Sequence, residues 1–365
     1  MNPPKTFLFA ARLIAWQKSQ GRHDLPWQGT GDAYRIWLSE IMLQQTQVAT
    51  VIPYFRRFLA EFPTVTALAQ APLNAVLERW AGLGYYARAR NLHRCAQQVA
   101  AAYGGHFPET PAELSTLPGI GRSTAAAIAV FAFGTRAAIL DGNVKRVLAR
   151  CFGIEGFPGS APVERRLWAL AESLLPDADL EAYTQGLMDL GATVCRRSRP
   201  VCENCPVRPE CVAFRKGRQV DLPTPRPRKA LPERKTAMLL LMDEHTLLLE
   251  RRPASGIWGG LLSLPEADWD AANQAADALA ASHGCRILAR ALLPEVRHAF
   301  THFRLNIRIL SCRVGRFDSE RPASEERKDF SGHLHQIWLP RADVAKAALP
   351  APVRRALAAI VAEDS

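Results

Sequence analysis

The sequence has no long apolar segment, and this absence argues against a protein that crosses a membrane through an apolar helix. No hydrophobic run within its 365 residues approaches the roughly 20 residues that a helix needs to cross a bilayer. The N-terminus carries a single lysine, Lys5, and a short apolar patch, without a cleavable signal pattern. We therefore expect a cytoplasmic protein with no membrane partner.

Acidic residues are too few to balance the basic ones. The chain has 46 Lys and Arg against 35 Asp and Glu, which gives a formal net charge of +11. This excess favours a polyanionic partner such as nucleic acid, although an anionic membrane surface would also attract it. A chain of 365 residues is long enough for two domains, each with a core of its own.

The hydrophobic pattern changes along the chain and predicts two domains of different class. Residues 1–214 carry helical periodicity, residues 215–235 form a basic, proline-rich linker, and residues 236–365 carry strand patterns. We expect helical stretches at 5–19, 34–58, 64–100 and 163–190. In the second domain we expect strands at 236–242, 246–251, 305–314 and 336–339, and helices at 269–283 and 353–361. The sequence thus predicts an all-α domain followed by an α+β domain, with residues 313–328 as a charged surface loop.

A Pro-Gly-x-Gly turn precedes an alanine-rich helix near the middle of the chain. Pro118, Gly119 and Gly121 form this turn, and both glycines permit the positive φ that other residues avoid. Such a turn directs the N–H groups of the following helix outward, where they suit a phosphate. Most Gly-x-Gly turns simply join helices, so this turn alone decides nothing.

Two carboxylates lie where catalysis would need them. Glu40 falls within a mostly apolar helical segment, and partial burial would raise its pKa to a range suited to a general acid. Asp141 begins another helix, whose N-terminus favours an ionised carboxylate. The alternatives are an exposed surface glutamate and a plain helix cap.

Polar and aromatic side chains cluster at two further places. Residues 44–47 contain three glutamines, which suit hydrogen bonds to base edges or insertion into a base stack. Residues 80–90 combine glycines, two tyrosines and two arginines, a composition suited to base stacking and phosphate contacts. The same residues would also fit a polar helix face and an ordinary helix–helix corner.

Four cysteines within 17 residues, Cys195, Cys202, Cys205 and Cys211, give a strong metal-binding signal. Four thiolates suit either Zn²⁺ or an iron–sulfur cluster, and their chemistry alone leaves both open. Only one C-x2-C unit is present, whereas zinc ribbons usually pair two. The other four cysteines are scattered, which indicates buried thiols.

Together these motifs resemble the helix–hairpin–helix DNA glycosylase superfamily, and within it the adenine DNA glycosylase (MutY) family. The resemblance rests on residues 39–48, the turn 117–121, residues 140–146 and the four cysteines. It implies an enzyme that flips adenine out of double-stranded DNA when adenine is mispaired with 8-oxoguanine or guanine, and removes it. It further implies that Glu40 protonates the base at N7 and that Asp141 stabilises the oxocarbenium ion. The four cysteines would hold one [4Fe–4S] cluster.

The resemblance also assigns residues to DNA. Arg22, Leu25, Trp27 and Gln185 would line the adenine pocket, and Gln45 and Tyr85 would wedge beside the orphan 8-oxoguanine. Gly119 and Gly121 would hold a backbone phosphate. Further DNA contacts would come from Leu43, Ser123, Lys145 and Gly256, and from the 8-oxoguanine-reading loop formed by Phe300, Thr301 and His302.

Residues that two kinds of related enzyme need are missing here. Lyases of the superfamily place a nucleophilic lysine where this chain has Ser123, so we expect a monofunctional enzyme, although Lys145 lies nearby in sequence. The second domain resembles a Nudix domain, but Gln274 and Ala275 stand where the Mg²⁺-binding motif requires Arg and Glu. We therefore expect no Mg²⁺ requirement, and a domain that reads 8-oxoguanine instead.

Two other functions fit part of the pattern. An endonuclease III-type glycosylase and lyase acting on oxidised pyrimidines would share the first domain, but Ser123 and the second domain argue against it. A non-catalytic iron–sulfur protein that binds DNA would explain the charge and the hairpin, but gives Glu40 and Asp141 no role. We expect a monomer, with repair-protein partners, if any, bound through the linker.

Overall fold

The computed structural model of the protein describes residues 5–226, 231–253, 256–300, 302–316 and 336–363. The chain divides by internal contacts into two units, one of Met1–Ala71 and Arg88–Arg228 and the other of Pro72–Ala87 and Lys229–Ser365. The sequence placed residues 72–87 in the first domain, whereas their contacts group them with the second unit. This grouping depends on contacts between distant parts of the chain, which local patterns do not carry.

The described residues contain helices in both units and strands in the second. The helices are α1 (Lys5–Gln20), α2 (Ala33–Leu43), α3 (Val48–Glu61), α4 (Val65–Gln70), α5 (Leu73–Trp80), α6 (Ala87–Tyr103), α7 (Pro111–Leu114), α8 (Arg122–Phe133), α9 (Gly142–Phe152), α10 (Ala161–Ser173), α11 (Leu180–Asp189), α12 (Val212–Arg215), α13 (Ala272–Ser282) and α14 (Ala351–Glu363). The strands are β1 (Glu233–Met242), β2 (Thr246–Arg251), β3 (Leu262–Ser263), β4 (Glu266–Ala267), β5 (Cys285–Leu292), β6 (Val296–Ala299), β7 (Arg304–Arg316) and β8 (Gln336–Pro340).

Short polar side chains begin several helices of the first unit. The Asp32 carboxylate accepts from the Tyr34 and Arg35 N–H groups at the start of α2. The Thr110 hydroxyl accepts from the Glu113 N–H at 3.2 Å at the start of α7 and donates to the Glu113 carboxylate at 2.6 Å. These side chains satisfy N–H groups that have no partner within the helix.

The helices within residues 1–214 differ from the sequence prediction mainly in where they break. The expected helix over 34–58 is two helices, because residues 44–47 form a turn between α2 and α3. The stretch 64–100 holds three helices instead of two, and the stretch 163–190 holds α10 and α11. Hydrophobic periodicity continues across these breaks. The pattern therefore indicated which faces of the helices are apolar, but not the residues at which the helices end.

One hydrophobic core organises the helices α1, α9, α10 and α11. Leu13, Val147, Leu167 and Leu187 are fully or almost fully buried within it. Each residue repeats at helical spacing with other apolar residues, so each helix presents one apolar face to the shared core. This core fixes the start of α9 and the whole of α11, which both carry predicted site residues.

The second unit contains a mixed sheet with the order β3-β2-β1-β7-β5, in which β4 also pairs with β1, β6 with β7, and β8 with β2. Strands β1 and β7 are parallel, with Met238 opposite Ile309. Strands β1 and β2, both expected from the sequence, are antiparallel, with Met242 opposite Leu247. Strands β3 to β6 were not predicted, and residues 313–316, expected in a loop, end strand β7; residues 317–328 lie outside the described part of the chain.

Both faces of strand β1 are covered, which makes it the centre of the second unit. Met238 and Leu240 face a core that includes Val353 of α14, while Leu239 on the opposite face packs in a core with Ala276 of α13. A central strand buried on both faces reads as a continuous apolar run, and Ala237 to Met242 is such a run. The α+β architecture predicted for this part of the chain is confirmed.

The glycine turn between α7 and α8 uses its two glycines differently. Gly119 has a φ of 81°, in the left-handed region, as predicted. A Cβ atom built there would lie 2.8 Å from Cβ of Asn91, so the site also lacks space. Gly121 has a φ of −88° and is the extended N-cap of α8. Of the two glycines that permit a positive φ, only Gly119 adopts one.

Among the described residues, no helix is both long enough and apolar enough to cross a membrane.

Gly119→Ala should lower the free energy of unfolding by roughly 2–4 kcal/mol, since the new methyl group adds a steric overlap to a left-handed backbone. The matched control is Gly134→Ala, at a left-handed φ of 65° with no atom within 4 Å of the added carbon, and it should cost only about 1 kcal/mol. Urea unfolding of both variants measures the difference. Equal losses would mean that the Asn91 contact is unimportant.

Candidate active site

A cleft of about 1220 Å³ opens in the first unit. Its walls come from the loop 22–29, from α2, from the start of α9 and from α11. The predicted site residues that line it are Arg22, Leu25, Trp27, Glu40, Leu43, Asp141 and Gln185. The sequence assigned these residues from four separate segments, and the fold brings their side chains to one cavity.

Glu40 lies on α2 at the inner wall of this cleft. Its neighbours on the helix, Trp37 and Ile41, are buried, and Glu40 itself is mostly removed from solvent. Burial, with a smaller contribution from the negative charge of Asp141, raises the pKa of the Glu40 carboxyl to about 8. A raised pKa follows because burial disfavours the charged form. Glu40 is therefore protonated at neutral pH and able to donate a proton.

Asp141 is the N-cap of α9, and its carboxylate accepts from the Val144 N–H at 2.7 Å. Burial raises the pKa of the Asp141 carboxyl above its ordinary value. Hydrogen bonds from the Val144 and Asn143 N–H groups and the charges of Arg146 and Lys145 act in the opposite direction and favour the ionised form. The Asp141 side chain thus caps α9 and lines the cleft at the same time.

Ser123 and Lys145 do not line the cleft. The Ser123 hydroxyl accepts from the Leu140 N–H at 2.9 Å and so fixes the residue before Asp141. The Lys145 ammonium lies 2.5 Å from the Glu164 carboxylate. Their predicted roles as DNA contacts stay predictions, and the structure gives each an additional intramolecular partner.

Three predicted pocket residues are held by their own loop and by α11. The Trp27 ring packs edge-on against Phe55, with ring centroids 5.3 Å apart. The Gln28 side chain bridges the loop by accepting from the Leu25 N–H and donating to the Arg22 carbonyl. The loop is thereby closed on itself, which holds Leu25 and Trp27 in place at the cleft.

The sequence gave no role to Asp189, which contacts two of the predicted pocket residues. Its carboxylate accepts from the Arg22 backbone N–H at 2.9 Å, from Arg22 Nε at 2.7 Å and from Gln185 Nε2 at 2.8 Å. The only sequence signal was its i, i+4 spacing from Gln185, which is common on helices. The partner in the loop 22–28 lies 167 residues away, and no local pattern reports such a pairing.

Gln45 lies in the turn between α2 and α3, exposed, with a left-handed φ of 58°. The buried Arg88 side chain fixes this turn by donating to the Ile41 and Met42 carbonyls, each at 2.8 Å, and to the Thr46 hydroxyl. A non-glycine residue held at positive φ is strained, and such strain is concentrated at functional sites. The expectation of a polar helix face here is wrong, and the wedge role stays a prediction.

The predicted 8-oxoguanine-reading residues of the second unit lie in turns. Phe300 stacks on the buried Phe303, with ring centroids 4.5 Å apart, while His302 is exposed. Gly256 has a left-handed φ of 88° and open space around it. Tyr85, also left-handed, is 52% exposed. Thr301 lies outside the described residues.

The four predicted metal-ligating cysteines line one small cavity. Among the described residues, no group of three or more such side chains has metal-binding spacing. The donor set nevertheless fits a thiolate-bound metal group. The buried Arg150 guanidinium lies 3.4 Å from Cys195 Sγ and donates to the Arg196 and Arg197 carbonyls, which orders the start of the loop. Cation donors of this kind stabilise thiolate ligands.

The same loop is tied to the start of α9. The Arg146 guanidinium donates to the Cys195 carbonyl at 2.8 Å, to the Gly191 carbonyl at 2.7 Å and to the Asn143 side chain at 2.8 Å. Asn143 lies two residues after Asp141 and its backbone contributes to holding that carboxylate. The cysteine loop and the cleft are therefore mechanically connected through one arginine.

Comparison with known proteins agrees with this geometry. Residues 38–173 match the model of the HhH-GPD superfamily of base excision DNA repair proteins, and residues 236–359 match the NUDIX domain. An adenine DNA glycosylase of Buchnera aphidicola subsp. Acyrthosiphon pisum is 38% identical over 260 residues, covering 71% of this chain and 74% of the relative. The human adenine DNA glycosylase is 35% identical over 367 aligned positions, covering 82% of this chain and 66% of the relative.

The chain belongs to the adenine DNA glycosylase family. The predicted family, fold class and enzyme class are thereby confirmed. An adenine DNA glycosylase removes adenine from DNA as the first step of base excision repair, and this is the function of the protein. The endonuclease III-type and non-catalytic alternatives are accordingly set aside.

Solved structures support the fold of this adenine DNA glycosylase. A thermostable thymine-DNA glycosylase superposes with a TM-score of 0.53 at 31% identity, covering 58% of this chain and 97% of that one. An endonuclease III bound to DNA gives a TM-score of 0.50 at 22% identity, covering 59% of this chain, which is a likeness of fold alone.

Glu40→Gln should stabilise the protein increasingly from pH 5 to pH 8. Because the folded state raises the pKa of Glu40 above the value of 4.5 in an unfolded chain, its contribution to stability is lost as the pH rises through this window. The glutamine variant avoids that loss, so we expect it to be more stable than the parent by roughly 3–5 kcal/mol at pH 8.

Urea unfolding at pH 5, 7 and 9 measures this effect as the difference between variant and parent. Glu109→Gln, at an exposed loop position, is the matched control and should show a small difference that does not change with pH. A difference for Glu40→Gln that is equally flat would contradict the raised pKa.

Proposed function

We propose that this adenine DNA glycosylase acts on adenine paired with 8-oxoguanine or guanine in double-stranded DNA, with Glu40 as general acid and Asp141 as the stabiliser of positive charge on the sugar. One observation carries the proposal. A carboxyl with a pKa of about 8 and a capping carboxylate line the same cleft. Cleavage of an N-glycosidic bond needs both a proton donor and a negative charge.

The chemistry divides between the two carboxyl groups as follows. Negative charge develops on the leaving adenine, and the proton of Glu40 passes to N7 of the base to neutralise it. Positive charge develops on the sugar as the bond lengthens, and the ionised Asp141 stabilises it or forms a short-lived bond to it. Glu40, now ionised, accepts a proton from the water that attacks the sugar. The reaction ends with free adenine and an abasic site.

Binding of the adenine requires that it leave the helical stack. The cleft offers the flipped base the Trp27 and Leu25 side chains as apolar surface and the Arg22 and Gln185 side chains as polar partners. Gln45 sits outside the cleft lining, at an exposed and strained turn. We assign it, with Tyr85, to the space that the flipped nucleotide leaves, where a side chain compensates for lost stacking.

Recognition of the opposing base is assigned to the second unit. Phe300 is anchored on Phe303 and its N–H donates to the Phe303 carbonyl at 2.9 Å, which holds these two residues together beside the exposed His302. The open surroundings of Gly256 suit a close approach of DNA backbone. Glu266, the acidic residue that remains of the Nudix motif, is paired with Arg252 at 2.6 Å.

We further propose that the enzyme is monofunctional. A lyase forms a Schiff base through an amine, and Ser123 offers only a hydroxyl, which is engaged with the Leu140 N–H. The nearest lysine in sequence, Lys145, is paired with Glu164. Neither side chain lines the cleft.

The cofactor is assigned as one [4Fe–4S] cluster held by Cys195, Cys202, Cys205 and Cys211. Bound there, the cluster would cross-link the loop 195–211 through four metal–thiolate bonds. Arg150 and Arg146 hold the backbone of this loop and connect it to α9. The chain's own residues thus give the cysteine loop a positive environment and a fixed position.

A single-turnover assay on four duplexes tests the substrate and the mechanism together. The duplexes carry adenine opposite 8-oxoguanine, guanine or thymine, or carry thymine glycol. We expect strand breaks only after alkali and only with the first two duplexes, because hydrolysis leaves an abasic site without cutting the strand. Glu40→Gln should lower the rate by about 10²–10⁴-fold, the usual contribution of a general acid.

Glu109→Gln is the control and should keep the parent rate. Breaks without alkali would show lyase chemistry and refute the Ser123 argument. Excision of adenine opposite thymine at the same rate would refute recognition of the opposing base.

Analysis of iron and acid-labile sulfide tests the cofactor. We expect about four of each per chain, as one [4Fe–4S] cluster requires. Cys202→Ser should lower the iron content and the unfolding temperature together, since a metal-bound loop contributes folding free energy. Cys312→Ser, a buried thiol of the second unit, should leave the iron content unchanged. One zinc and no iron per chain would refute the cluster.

A further inference from the structure

A buried carboxylate lies directly behind the cleft and does not line it. Asp189 ends α11 with a side-chain exposure of 1%. It accepts hydrogen bonds from the backbone N–H and the guanidinium of Arg22 and from the amide Nε2 of Gln185. Both partners, Arg22 and Gln185, line the cleft, whereas Asp189 lies behind them. The carboxylate thus holds two pocket residues from outside the pocket.

The chemistry of a carboxylate decides how Gln185 is turned. An ionised carboxylate only accepts hydrogen bonds, whereas a side-chain amide has one donating and one accepting end. At 2.8 Å from Asp189, Gln185 must therefore direct its NH₂ group to the carboxylate. Its carbonyl oxygen Oε1 is the end left for a molecule in the cleft. Without a charged acceptor behind it, the amide would be equally able to present either end.

The same carboxylate fixes Arg22. The Arg22 Nε and Nη2 atoms lie 2.7 and 2.6 Å from Asp189 Oδ1, and its backbone N–H lies 2.9 Å from Oδ2. This pairing ties the loop 22–28 to α11, although the two segments are distant in sequence. It also places a positive charge beside a carboxylate with 1% exposure, which would be costly to bury without a partner.

We propose that Asp189 is a positioning residue that sets the base specificity of the enzyme, because it forces Gln185 to present a hydrogen-bond acceptor to the flipped base. This inference rests on the proposed assignment of Gln185 to the adenine pocket. Adenine carries a donating amino group at position 6, which matches Oε1. A 6-oxo purine presents an acceptor there, and two acceptors repel. Purine itself has only a hydrogen atom at position 6, so its excision should not depend on which end of the Gln185 amide faces the cleft.

Asp189→Asn is the informative change because asparagine keeps the shape of the side chain but replaces one of its two hydrogen-bond acceptors with a donor. In either orientation, the new amide turns a donor toward a donor, either toward the Arg22 backbone N–H or toward the Arg22 guanidinium and Gln185 Nε2. Gln185 then faces an acceptor in one orientation of the new amide and a donor in the other, so its own orientation is no longer fixed. Asp177→Asn, at a fully exposed position outside the cleft lining, is the matched control for loss of a carboxylate.

The experiment measures single-turnover excision of adenine, purine and hypoxanthine opposite the same guanine, with the full-length enzyme. For Asp189→Asn we expect the ratio of the adenine rate to the purine rate to fall about 10–100-fold relative to the parent, since the hydrogen bond from the adenine amino group to Gln185 Oε1 is no longer enforced. The ratio of hypoxanthine to adenine should rise. Asp177→Asn should leave all ratios unchanged.

Two outcomes would overturn the proposal. Equal losses for all three bases would mean that Asp189 only supports the fold. A fall in the adenine-to-purine ratio of the same size in a Gln185→Leu background would mean that Asp189 does not act through Gln185. In that background we expect no further change in the ratio, which is the signature of coupled residues.

A second variant keeps the test valid if Asp189→Asn does not fold, as judged by thermal unfolding. Gln185→Leu alone must then lower the adenine-to-purine ratio, and an unchanged ratio would overturn the proposal. If the parent enzyme excises none of the three bases opposite guanine or 8-oxoguanine, the proposed substrate has failed. That result is distinct from a failure of the Asp189 proposal, which concerns only the ranking of bases.

Discussion

Removal of water from around the Glu40 carboxyl is the constraint on which the candidate site depends. In water this carboxyl would be ionised at neutral pH and unable to donate a proton. Burial of its helix neighbours Trp37 and Ile41 closes α2 against the core, and the same helix face carries Glu40 to the cleft wall. The negative charge of Asp141 adds to the effect. The proton-donating state is thus a product of helix packing, and residues remote from the cleft maintain it.

The second requirement is that the opposite carboxylate stays charged in a similar environment. Asp141 is also largely buried, but it is a helix cap, with N–H groups and two cations directed at it. Burial raises the pKa of both carboxyls, but at Asp141 the helix start supplies N–H groups that oppose the rise, whereas Glu40 lies within its helix. The backbone position thus favours the ionised form at Asp141 and leaves the raised pKa of Glu40 unopposed.

The sequence predicted those parts of the structure that local patterns encode. Glu40, Asp141 and the four cysteines stand in motifs whose spacing is fixed by helices and turns, and the fold class follows from the change of hydrophobic period after residue 235. The break of the helix at Gln45 was missed because apolar periodicity continues across it. Asp189 was missed because its partner Arg22 is far away in the chain. Both errors concern tertiary contacts, which override local preference.

The Ser123 hydroxyl holds the Leu140 N–H, and Leu140 is buried immediately before Asp141. A lysine at position 123 would supply an amine but remove this acceptor, and an unsatisfied buried N–H costs about 1–3 kcal/mol. The segment carrying Asp141 would lose a restraint at the same time. Placing a lysine at position 123 therefore also requires a new acceptor for the Leu140 N–H, if the segment that carries Asp141 is to keep its position in the cleft.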